Sequence, residues 1–180
     1  MLRIADLEFA VVSCRLEAYC NTARMKWDIE VECAPHPERK FHGHGPNLSL
    51  SLFETPPKAF SHWTKLVPRE VRWSHKNDTD VTPSGMLYIF EHTPIFECHA
   101  RCYHEASKMK FALDGKCDVY YDEHYDANLD LHLDSAVVFR GVWFGRRPEA
   151  ECRKNIARFL NPDEFAFAPT EHGVSMLTPK

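Results

Sequence analysis

The 180-residue chain is predicted to be mainly β, an antiparallel β sandwich or strongly curved sheet with one C-terminal amphipathic helix at about 148–160. Two observations carry this expectation. Apolar and polar residues alternate with period 2 through most of the chain, and one late segment has an apolar stripe at helical spacing. Hydrophobic residues at 44% and charged residues at 27% are ordinary globular composition, and the length suits a single domain over 1–180.

Taken in order, the first strand runs through Ala10, Val12, Cys14, Leu16, Ala18 and Cys20 on one face, although Leu7, Val11, Cys14 and Ala18 also fit a helix. The next is cleaner. Met25, Trp27, Ile29, Val31 and Cys33 alternate with Lys26, Asp28, Glu30 and Glu32, the pattern of a half-buried strand. Leu48, Leu50 and Leu52 alternate with serines in the same way, and Met86–Phe90 and Ile95–Tyr103 read as two further strands. Long Pro-containing connections separate these elements, at 34–46, 55–68 and 74–85. Pro148 suits a first helical position, and Cys152, Ile156, Phe159 and Leu160 form the apolar stripe that Asn161-Pro162 ends. Phe165, Phe167 and Val174–Leu177 are expected as short closing strands, for about eight to ten strands in all.

Between Met109 and Trp143 a meander is expected. Asp114-Gly115-Lys116 reads as a turn that pairs Leu113 with Cys117 and Phe111 with Val119. The following strand, Ala127 to Leu133, then sets Val119 against Leu129. This register places Asp118 opposite Asp130, Asp122 near Asp126, and Asp114 towards Asp134. From Asp114 to Asp134 there are seven acids, Glu123 included, against one base, so this ribbon exceeds the chain's whole net charge of −4. Ser135–Arg158 carries six bases against two acids.

Like charges opposed in a sheet destabilise it, so such a ribbon needs a reason. A solvated edge that discourages association is one. The other is a partner-binding face made of Asp114, Asp118, Asp122, Glu123, Asp126, Asp130 and Asp134, which captures a basic protein surface. The expected function is therefore a non-enzymatic binding module, such as an immunity or inhibitor protein that neutralises a toxin. A homodimer, acidic ribbon on basic segment, is a further arrangement the asymmetry allows.

Two alternatives stand beside it. A divalent metal could be held by Asp126, Asp130, His132 and Asp134, by His124, or by the His36, His42, His44 loop. A small-ligand carrier could use Trp63 and Trp73. Cys98, Cys102 and His104 have CxxxC spacing without a second ligand pair, which argues for core packing rather than zinc. No P-loop, dinucleotide glycine pattern, nucleophile elbow or HExxH is present, so the balance is against an enzyme, and no cofactor is expected. Net acidity disfavours nucleic acid, no apolar run approaches the roughly 20 residues that span a bilayer, and Arg3, Asp6 and Glu8 interrupt any signal-like start. Seven cysteines, an odd number, suit a reducing, cytoplasmic setting.

Overall fold

The structure, a computed structural model, describes residues 1–36, 44–59, 62–76, 81–121, 124–169 and 173–180. It is mainly β, with 62% of the chain in strands, one helix, and a strongly curled open sheet that forms a half-barrel. The strands are β1 (Leu2–Ile4), β2 (Leu7–Phe9), β3 (Val11–Cys20), β4 (Met25–Cys33), β5 (Asn47–Thr55), β6 (Arg69–Trp73) and β7 (Ser84–Tyr88). They continue with β8 (His92–Glu105), β9 (Lys108–Tyr121), β10 (His124–Ala136), β11 (Val138–Trp143), β12 (Phe165–Pro169) and β13 (Ser175–Pro179), with helix α1 (Glu149–Ile156) before the last two. The sheet has thirteen strands among the described residues, more than expected, because the three-residue β1 and β2 and the five-residue β6 are too short to show a period.

Strand order is β12-β13-β11-β3-β4-β5-β7-β8-β9-β10-β1-β2, with β6 also on β8. All ladders are antiparallel except β11 on β3, which is parallel. The inner face collects the alternating apolar residues: Leu16 and Ala18 of β3, Trp27, Ile29 and Val31 of β4, Leu48, Leu50 and Leu52 of β5. Trp27 is fully buried, and its indole N–H donates to Thr55 Oγ1 at 3.1 Å, which satisfies the one polar atom a buried tryptophan brings. Helix α1 adds its buried Cys152 and Ile156, and Phe159 and Leu160 of the turn that follows are buried with them. The helix is shorter than expected. Pro148 sits in extended backbone as its cap, and Ala157 closes it.

The meander differs from expectation in a way that reorganises the acidic face. Asp114-Gly115 is not a turn. Strand β9 runs straight through it, because the odd positions Phe111, Leu113, Cys117 and Val119 keep one buried face across Gly115. Gly115 is needed for a close approach. A Cβ there would overlap Cys98 Sγ, where β8 bulges at Glu97 and sets two residues against one. The bulge also puts Phe96 and Cys98 on opposite faces of the strand, although they are two residues apart, and Lys76 Nζ covers the Phe96 ring at 4.6 Å. One reversal falls instead at Ala106-Ser107, and the connection expected over 122–126 is tighter, since Tyr121 already pairs with His124.

Candidate functional site

The strands β9 and β10 form a hairpin arm of 14 and 13 residues, about 45 Å long at ~3.3 Å per residue. The observed register is offset by two from the expected one. Leu129 pairs with Cys117, Asp130 with Lys116, Leu131 with Gly115 and His132 with Asp114. An even offset keeps the apolar faces together and changes every polar neighbour. At the reversal the offset is three, and a one-residue bulge between Asp126 and Leu129, with Asn128 in left-handed backbone at φ 58°, brings it to two. No two aspartates face one another directly in the described ladder.

Each acid of the arm has its own surroundings. Asp114 Oδ1 lies 2.8 Å from His132 Nδ1. Asp134 accepts from Lys110 Nζ and from the Tyr103 hydroxyl, both at 2.7 Å. Burial acts to raise its pKa, yet these two donors and the nearby N-terminus hold it below the ordinary value. Asp130 faces Lys116 across the ladder.

Asp118 is the exception to the expected exposed ribbon, being only 5% exposed. Its carboxylate accepts from the Asn128 backbone N–H at 2.9 Å, the Tyr125 hydroxyl at 2.8 Å and Lys76 Nζ at 2.9 Å. Burial would raise its pKa, and these three donors together lower it. The same hydrogen bond to Asp118 pushes the Tyr125 hydroxyl up to about 12. Asp118 thus ties the arm's end together and is not presented to a partner.

At that end Tyr120 and Tyr125 are directly paired, with ring centroids 4.5 Å apart. They are 43% and 48% exposed. Asp126 is exposed beside them, while Asp122 and Glu123 lie outside the described residues. The sequence reading passed over these two tyrosines. Their symmetric placement around the reversal is the available signal, hidden when Tyr125 is counted into a five-residue connection over 122–126.

The remaining candidates are dispersed. His36 packs its ring edge against Phe9 at 5.6 Å, His44 is exposed in its loop, and His42 and the side chain of His124 lie outside the description. Among the described residues no three His, Cys, Asp or Glu side chains converge as a metal site. All seven cysteines are free and buried, and burial pushes Cys14, Cys20, Cys33, Cys98, Cys102 and Cys117 up to about 12, which opposes use as thiolate nucleophiles. Trp63 lies tilted against Phe139 at 4.8 Å, partly buried against the core, and Trp73 is buried with its N–H on the Ile95 carbonyl at 2.8 Å. Much of the basic segment is self-satisfied: Arg153 pairs with Glu149 at 2.7 Å, Arg147 with Glu151, and Arg158 donates to the Thr22 carbonyl.

The fold and this site define a β half-barrel that carries a long hairpin arm with an aromatic, acidic end. Comparison with protein-family models, curated proteins and solved structures finds no match for the chain. No helix among the described residues is long and apolar enough to cross a membrane.

Proposed function

We propose that the protein is a non-enzymatic binding module that captures a basic protein surface at the end of the β9–β10 arm. The observation that carries this reading is the exposed Tyr120–Tyr125 pair. Tyrosine offers a large, stiff, amphipathic contact, and it is enriched where interfaces concentrate their binding energy. The sequence surrounds the pair with Asp122, Glu123 and Asp126, and places no lysine or arginine between Tyr120 and Asn128. Along the rest of the arm, Lys110 and His132 stand beside Asp134 and Asp114, and Lys116, which pairs with Glu97 at 2.9 Å, lies opposite Asp130; at the end itself Lys76 reaches Asp118. By sequence the end carries Asp118, Asp122, Glu123 and Asp126 against Lys76, an excess of negative charge that would steer encounter with a cationic partner and fix its orientation. An intracellular inhibitor or immunity protein acting on a basic toxin is one member of this class, and seven free thiols suit a reducing, cytoplasmic setting.

The test compares the proteins retained at low salt by three forms of the chain: wild type, Asp122→Asn/Glu123→Gln/Asp126→Asn, and the control Asp114→Asn/Asp130→Asn. A basic protein held by wild type and the control but lost from the triple variant is the expected result. Identical retained sets for all three would overturn the reading.

A further inference from the structure

Two bulges sit on the neighbouring strands β3 and β11, and both push a side chain towards one cleft. On β3, Val11 pairs with Cys33 and Ser13 with Glu32, so Val12 is the extra residue. On β11, Phe139 pairs with Leu16 and Gly141 with Glu17, so Arg140 is the extra residue. The second bulge depends on Gly141, at φ +137°, where a Cβ would overlap the Leu177 carbonyl. Bulges re-aim side chains, and they gather near binding sites.

Val12 was expected on the buried face of its strand. It is 69% exposed, and Val138 is 61% exposed. Val12, Val138 and Arg140 line an open cleft of ≈ 470 Å³, which Ser13, Arg15 and Glu32 complete. That volume falls in the range of small-molecule sites. Its charges are not balanced internally. Glu32 is engaged by Arg15 at 2.6 Å and by the Ser13 hydroxyl at 3.0 Å. Arg140 is exposed, and among the described residues no acceptor reaches its guanidinium. The Nε of Arg15 is buried without a hydrogen-bond partner.

We propose that this cleft binds a small carboxylate bearing an aliphatic chain. The planar fork of Arg140 donates two parallel N–H bonds to the carboxylate, and the chain lies over Val12 and Val138. The site is separate from the arm's end, and neither reading depends on the other.

The test follows backbone amide NMR shifts and calorimetry with acetate, butyrate, hexanoate, octanoate and hexylamine as probes. Hexanoate and octanoate are expected to give saturable shifts confined to β3, β11 and the end of β10, with affinity rising along the chain series. Arg140→Gln should weaken hexanoate at least about tenfold at an unchanged melting temperature. Val12→Ser should flatten the dependence on chain length. Octanoate without saturable shifts at these strands, an Arg140→Gln variant that binds hexanoate as wild type does, or hexylamine binding as tightly as hexanoate would each overturn the proposal.

Discussion

Aspartates of the same strand parity meet different fates. Asp130 is exposed opposite a lysine, whereas Asp118 is buried under Lys76, Tyr125 and the Asn128 amide. The donors outweigh burial, so the folded pKa of Asp118 lies below its ordinary 3.8. A carboxyl with a lowered folded pKa stabilises the protein above the ordinary value, and that contribution is lost as pH falls through the lowered one. Asp118→Asn is therefore expected to cost about 1–3 kcal/mol at neutral pH, where partners lose a charged acceptor. The difference from wild type should shrink as both are acidified. Urea unfolding of the two proteins across the acid range checks both the loss and its direction. Asp28 shows the opposite sign: burial raises its pKa, and its Oδ1 has no hydrogen-bond partner, with Lys26 Nζ 3.7 Å away. None of this was readable from the sequence, which shows a carboxylate's position but not its cover. Lys76 is 42 residues from Asp118 and comes from a connection with no periodic signal.

At the scale of the element, alternation was legible wherever a strand was long and one face was buried. Strands β4, β5 and the end pair β12 and β13 stand close to where the period placed them. The meander failed because a local turn signal, Asp-Gly, was set above an unbroken period. The odd positions from Phe111 to Val119 continue through Gly115 without a phase change, and a real three-residue turn was not required to keep them together. The glycine's purpose is contact between strands. Gly115→Ala forces a methyl into Cys98 Sγ, with the Phe96 carbonyl a further 3.3 Å neighbour, and is expected to destabilise the fold by about 1–3 kcal/mol. Equilibrium denaturation measures it; a variant as stable as wild type would mean that β8 shifts freely at its bulge. The register error had a second effect. An offset of two hides itself, since the core face is the same, yet it exchanged opposed aspartates for Asp130–Lys116 and Asp114–His132.

For the whole molecule, composition and period conveyed a curved, mainly β sheet with one late helix, but not its strand order. Nothing local announces that β11 lies parallel to β3, with Val138 beside Arg15. The cysteines were legible as core because each sits on an apolar face, and all seven are buried and unpaired. A thiol reagent at neutral pH is expected to leave the native protein almost unmodified and to label all seven once it is unfolded, as counted by intact mass. Rapid labelling of any one in the native state would reveal a local opening at that strand or at the helix.

The parallel pairing of β3 with β11 has a consequence for synthesis. Strand β3 waits for a neighbour more than 100 residues further along the chain, and until then one of its long sides offers open backbone groups to any passing strand. Contacts so distant along the chain are slow to close. Until β11 has been made, the sheet stays unfinished on this side of β3 and open to pairing with other chains.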